Sequence, residues 1–262
     1  MQIQHQAARR CENFPVASWL LPRGKREAVL IFYDYIRGLD DIADDGAQSG
    51  EARKAALLAA ESSGAPWALA YVKACEDGIL NPEHAKRLRE AFLLDSEKTR
   101  YASWEELMHY CSLSAMPVGH CLLELWQEPA PDIAGCEALC ALLQILNHLQ
   151  DMKEDYLQLG RIYLPQDRMA EYGVEVGMLA GPAMAPELRS LTNEMLDRCD
   201  TLYAEARLFP ASLHDRALRW QAGWVTRIAS GLIAALRSGD PIAGRVGLPA
   251  WRYASACVFA GC

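Results

Sequence analysis

A helical apolar period that carries its own polar stripe constrains this chain most. From Asp132 to Leu159, the residues Leu139, Leu142, Leu143, Leu146, Leu149 and Tyr156 recur at the spacing of one helix face. Within the same segment Asn147, Asp151 and Asp155 follow an i, i+4, i+8 rhythm. At about 100° per residue these three fall within roughly 80° of arc and about 12 Å of helix length. A helix this apolar is built for burial. The flanking Leu146, Leu149 and Met152 turn the polar stripe toward an interior cavity rather than bulk water. Unpaired buried carboxylates are costly, so a cation is expected to meet them.

The rest of the chain keeps the helical period. Arg26 to Asp45 repeats apolar residues at Val29, Leu30, Phe32, Tyr33, Ile36, Leu39 and Ile42. Ala-rich helical stretches follow at Glu51–Ser62 and Pro66–Asp77. Asn81-Pro82 reads as an N-cap with proline at the first helical position, opening a helix to about Lys98. Ser103 and Glu106 have the spacing of a capping box for a helix running to about Gln127, with Pro117 as a kink inside it. Gly160 fits a C-cap of the helix from Asp132, and Arg161 to Pro165 reads as a loop. Two further helices are expected, about Ala185–Leu208 and Ser212–Ser238. Strand signals are nearly absent, and no Gly-rich strand-turn-helix supports a dinucleotide site or a P-loop. One all-α domain over residues 1–262 is the economical reading, with 240–262 less patterned and expected to be loosely attached.

Composition narrows the function. The 262 residues are 51% hydrophobic, enough for a sizeable core, and the formal net charge is −8. Such a chain is poorly suited to nucleic acid, which needs clustered Lys and Arg. An acidic chain acting on a phosphate ester needs a metal to mediate. The nine cysteines are irregularly spaced with no CxxC pair, which favours reduced thiols in a cytosolic enzyme. Residues 1–10 are polar and show no signal peptide, and no apolar run is long enough to span a membrane.

A second acidic constellation lies earlier, in Arg37-Gly-Leu-Asp40-Asp41-Ile-Ala-Asp44-Asp45. Asp40 and Asp44 share one helix face, and Asp41 and Asp45 form a neighbouring pair. Like charges at this spacing repel, and carboxylates at a helix C-terminus oppose the helix dipole. Read alone, the motif fits a solvated acidic helix end equally well. Taken with the later stripe it fits a metal centre. All-oxygen donors without paired histidines suit a hard cation, and Mg2+ binds through one or two carboxylates plus substrate phosphate oxygens. A diphosphate held between the stripes becomes a good leaving group, and an apolar helical cavity beyond it shelters a carbocation.

These residues resemble a known family. Asn13-Phe14-Pro15-Val16-Ala17-Ser18 with Tyr33, Arg37, Asp40 and Asp44 is similar to the first signature of squalene and phytoene synthases. Gln144-Ile-Leu-Asn147-His-Leu-Gln-Asp151-Met-Lys-Glu-Asp155, followed by Arg161-Ile-Tyr163-Leu-Pro165, is similar to the second. The resemblance implies an isoprenoid synthase fold with helices around a central apolar cavity, a prenyl diphosphate substrate and Mg2+. It implies Asp40 and Asp44 as metal ligands on one side, and Asn147, Asp151 and Asp155 on the other. Tyr33, Arg37 and Arg161 would contact the diphosphate end of the substrate, Phe14 and Gln144 would line the cavity, and Tyr110 and Tyr163 would stand near the reacting centre.

Tyr110-Cys-Ser-Leu-Ser-Ala-Met-Pro-Val-Gly resembles the bacterial branch of that family serving hopanoid pathways. Its members ionise presqualene diphosphate, rearrange the cyclopropyl cation and trap it with water. Two departures point the same way. Glu12 stands where condensing relatives often carry Lys, and Gln150 stands where many have Arg; both remove positive charge from the expected seat of a second diphosphate. The alternatives are a head-to-head condensing synthase and a non-catalytic prenyl-diphosphate-binding scaffold subunit. His148 is expected to be an ordinary polar residue turned about 100° from Asn147, while His109 or His120 is a candidate for orienting the trapping water. Trp220 and Trp224 share a helix face as core or cavity wall. A cytoplasmic enzyme is expected, in reach of the inner membrane face and of neighbouring squalene-pathway enzymes, although the net charge gives anionic lipids no electrostatic attraction.

Overall fold

The computed structural model describes residues 23–248. Twelve α-helices occur among them: α1 Arg23–Ala43, α2 Gly50–Leu58, α3 Pro66–Glu76, α4 Pro82–Glu97, α5 Trp104–Ser114, α6 Met116–Trp126, α7 Ile133–Gln150, α8 Met152–Leu159, α9 Gln166–Tyr172, α10 Pro186–Ala206, α11 Phe209–Ser212 and α12 Arg216–Ser238. No strand occurs among the described residues; a single isolated bridge joins Arg100 to Ile162.

The local signals act where expected. Asn81 accepts a hydrogen bond from the Glu83 amide at 3.1 Å, and Asp132 accepts from Gly135 at 3.0 Å. Gly160 closes α8 at φ 64°, where a side chain would be strained. Ser103 caps α5. The Glu106 carboxylate reaches the Ala102 amide and Lys98, so the box closes one residue earlier than its usual geometry.

Two expected helices are divided. The stretch from Ser103 breaks at Ala115, and Pro117 sits in the first turn of α6. Its missing N–H is harmless there because the first-turn amides have no helical partner, so Pro117 starts a helix rather than kinking one. The stretch from Asp132 breaks at Asp151, whose φ of −105° and ψ of 11° leave helical geometry. The Asp155 amide still bonds the Asp151 carbonyl at 2.8 Å, so the stripe continues across the break.

Packing gathers around α7, which lies against α5, α6, α10 and α12. Its Ala141, Leu142, Ile145 and Leu146 are completely buried. A second apolar cluster joins α1, α3 and α4 through Phe32, Tyr35, Leu39, Tyr71 and Leu88. Gly38 is the point of closest approach there: a Cβ at this position would lie 2.4 Å from the Trp67 ring. The segment after α12 is tied down as far as residue 248. Ile242 is fully buried, and Asp240 accepts from the Met184 and Ile242 amides, each at 2.9 Å. Loose attachment from residue 240 therefore does not hold for 240–248.

Candidate active site

Between these clusters opens a cleft of about 410 Å3. One wall is α1. Its residues 33, 37 and 40 follow one helix face, which Asp44 extends just past the helix end through its amide bond to the Asp40 carbonyl, and Tyr33, Arg37, Asp40 and Asp44 all line the cleft. The facing wall is α7 and α8, which contribute Gln144, Asn147, His148, Asp151 and Asp155. Tyr110 from α5 and Asp95 from α4 line it too, with Arg161 and Tyr163 from the loop after α8. The structure thus brings together every residue expected in the site except Phe14, which lies outside the described residues with Glu12 and the rest of 13–18.

Each acid has its own surroundings. Arg37 bonds Asp40 at 2.7 Å and lies 3.8 Å from Asp41. Asp40 keeps 31% side-chain exposure, yet the cleft walls desolvate it and Asp44 crowds it, so its carboxyl is pushed up to about 7. Asp45 is spent on the turn, accepting from the Ala47 amide at 3.0 Å and from Gln48 at 2.7 Å. The four acids of the first motif therefore divide, Asp40 and Asp44 facing the cleft while Asp45 builds the turn. On the opposite wall, burial raises the Asp151 carboxyl above the usual range, and Arg245 opposes this from 3.3 Å.

Arg161 is placed by the loop after α8, which zips onto the segment before α5. The Ile162 amide bonds the Thr99 carbonyl at 3.0 Å, and the Gln166 amide bonds Tyr101 at 2.9 Å. Arg161 then reaches the Asp44 carboxylate at 2.8 Å and the Asp95 carbonyl at 3.3 Å. Burial alone would favour the neutral guanidine, but Asp95, Tyr163 and Asp44 more than offset it and hold the charge. Behind it lies a buried aromatic group. Tyr163 stacks on His148 with ring centroids 3.5 Å apart, and Tyr110 is 5.6 Å from Tyr163. The Tyr110 hydroxyl donates to Asp95 at 2.6 Å. Burial and the adjacent Asp95 keep the Tyr110 phenol protonated, and burial pushes the Asp95 carboxyl up to about 6 against the pull of Arg161.

Several expectations need correcting. His148 lines the cleft, 3.1 Å from Gln144 and 3.8 Å from Asp155. The cleft face running along α7 and into α8 from residue 144 to 155 covers about 100° of arc rather than 80°, with His148 at its edge. His109 is exposed, and His120 faces Glu137 at 3.1 Å; neither lines the cleft. Gln150 points away from the cleft, fully buried and donating to the Val246 carbonyl at 2.6 Å. Its lack of charge therefore removes nothing from the cleft, and Arg245 supplies a cation beside Asp151 instead. Asp95 carried an unread signal: Ala85, Leu88, Ala91 and Asp95 are the buried positions of α4, so an acid stood on an apolar stripe. Arg245 gave no such signal, lying in an unpatterned stretch.

The donors fit a magnesium-type ion in one particular way. Among the described residues no three His, Cys, Asp or Glu side chains converge to hold a metal by themselves. Each wall instead offers oxygen donors to an ion whose shell substrate oxygens and water would complete, the habit of Mg2+.

A helical cleft between two acid-bearing walls defines the class: an all-α isoprenoid synthase fold. The squalene/phytoene synthase family model matches residues 7–252, and the chain belongs to that family. It is 35% identical over 253 residues to the hydroxysqualene synthase of Rhodopseudomonas palustris, covering 94% of this chain and 87% of the relative. It is 31% identical to the hydroxysqualene synthase of Sinorhizobium fredii, covering 92% and 85%. The crystal structure of a squalene synthase from Alicyclobacillus acidocaldarius superposes with a TM-score of 0.73 at 28% identity, covering 90% of this chain and 92% of that one.

Proposed function

We propose that this chain is a hydroxysqualene synthase, a carbon–oxygen lyase that converts presqualene diphosphate to hydroxysqualene and diphosphate. The convergence of both acid stripes on one cleft carries the reading, and the likeness to two hydroxysqualene synthases selects this member of the family. A head-to-head condensing synthase is the second reading. The Gln150 argument against it has fallen away, so the choice rests on those relatives and on Glu12, which lies outside the described residues.

Asp40 and Asp44 on one wall, with Asn147, Asp151 and Asp155 on the other, would hold Mg2+. When bound, the metal neutralises the diphosphate and makes it a leaving group. Arg37, Tyr33 and Arg161 would steady the same group, Arg161 through a charge that burial does not remove. The substrate's C–O bond breaks and its electron pair leaves with the diphosphate. Tyr110 and Tyr163, which line the cleft, would offer aromatic surface to the cation during its rearrangement. Tyr110 keeps its proton and donates it in a hydrogen bond to Asp95, so its oxygen still offers lone pairs. A water oxygen then bonds the cationic carbon and gives its proton to the departing diphosphate or to solvent.

Product analysis with Mg2+ and without NADPH tests this. Presqualene diphosphate alone should yield a hydroxylated triterpene, and EDTA should stop diphosphate release until Mg2+ is restored. Products from farnesyl diphosphate would make the protein a condensing synthase. No release from either substrate would leave a scaffold subunit.

A further inference from the structure

A second, larger cleft of about 760 Å3 lies where the end of α10, the short α11 and the first half of α12 meet. Arg207, Arg216, Arg219 and Arg227 line it, with Tyr203 and Trp220. No Asp or Glu is among its described lining residues, in a chain of net charge −8. It shares no lining residue with the aspartate cleft.

Two other surface arginines, Arg237 and Arg198, are matched with acids. Arg237 reaches Asp197 at 2.7 Å and Asp200 at 2.5 Å, and Arg198 reaches Glu194 at 3.0 Å. Arg207 and Arg216 are exposed, and neither lies within ion-pair distance of an acid among the described residues. Arg219 is aimed by donating from Nε to the Leu213 carbonyl at 2.8 Å, which takes no charge from it. The nearby acids are turned to other tasks. Asp215 caps α12 by accepting from the Ala217 and Leu218 amides, each at 2.9 Å. Glu128, its side chain 1% exposed, accepts from the His214 and Asp215 amides, each at 2.7 Å. Exposed guanidinium groups such as those of Arg207 and Arg216, with no acid at ion-pair distance among the described residues, attract phosphate, which they can bind in bidentate fashion.

Apolar groups accompany this charge. Leu208, next to Arg207 in sequence, is 57% exposed, and Trp220, which lines the cleft, stacks on Trp224 at 5.8 Å. Arginine with Trp and exposed Leu is the composition of a surface that rests in a lipid headgroup layer. We propose that this cleft docks the protein on a membrane by receiving the phosphates of anionic phospholipids. The proposal stands on the cleft alone and goes beyond the catalytic reading.

Vesicle co-sedimentation of the full chain tests it, using phosphatidylcholine with and without phosphatidylglycerol. Binding should require phosphatidylglycerol and weaken as salt rises. Each of Arg207→Gln and Arg216→Gln should weaken it about fivefold, the equivalent of about 1 kcal/mol per arginine. Both variants should keep wild-type circular dichroism and wild-type diphosphate release from detergent-dispersed substrate. Equal binding to pure phosphatidylcholine, no vesicle binding by the wild type, or unchanged binding in folded variants would overturn the proposal. Binding of free inorganic phosphate without any vesicle binding would also overturn it, by making the cleft a soluble-anion site.

Discussion

The two walls of the aspartate cleft carry similar acids and compensate them differently. On α1, Asp40 and Asp44 are hydrogen-bonded to Arg37 and Arg161 at 2.7 and 2.8 Å. On α7 and α8, Asp151 meets the 46% exposed Arg245 at 3.3 Å, and Asp155 lies 3.8 Å from His148. The first wall sits in an unbroken helix locked by Trp67 over Gly38, whereas the second sits at a helix break. The arginine contacts of the first wall are closer, yet burial and Asp44 still push the Asp40 carboxyl up to about 7, so both walls stand to gain from an added cation.

The sharpest way to break this comparison is to remove one acid from each wall. If both walls hold metal, Asp40→Ala and Asp151→Ala should each slow diphosphate release by at least about 10²-fold, the scale of losing one electrostatic stabiliser. Measured at saturating Mg2+, near-normal release in Asp40→Ala alone would reduce the first wall to a structural ion-pair array. Packing comes next. Gly38→Ala forces a methyl into the Trp67 ring and should cost about 1–3 kcal/mol in urea unfolding; an unchanged midpoint would mean that Trp67 moves aside freely.

Arg161→Ala should cost about 2 kcal/mol, because it leaves Asp44 and the buried Asp95 carbonyl without their donor. The smallest effect is expected from Arg245→Ala, below about 1 kcal/mol, since its ion pair is partly exposed and screened. Equal losses from these two variants would show that the walls are compensated alike.

The difference between the walls also shows what could be read from the chain. Both acid stripes were legible because i, i+4 spacing on a strong apolar period is a purely local geometry. Asp95 was legible in principle, as an acid on the buried stripe of α4. The stacking of His148 on Tyr163 was not, because it depends on a loop zipped against residues 99–102. Gln150 misled, because the same helix that aims Asp151 at the cleft turns its neighbour toward the Val246 carbonyl.

By itself, then, the sequence determined most of the helical segments, the caps at Asn81, Ser103 and Gly160, the two acid stripes and the family. All of these follow from interactions within a few residues or from motif spacing. Only the tertiary structure decided which charges meet. Arg161 reaches Asp44 across 117 positions, Arg245 comes to Asp151 from beyond α12, and Arg207, just past α10, joins Arg216, Arg219 and Arg227 of α12 around one cleft with no acid among its described lining residues. Such pairings are fixed by how the helices pack, and local periodicity carries no record of which partner a side chain will face.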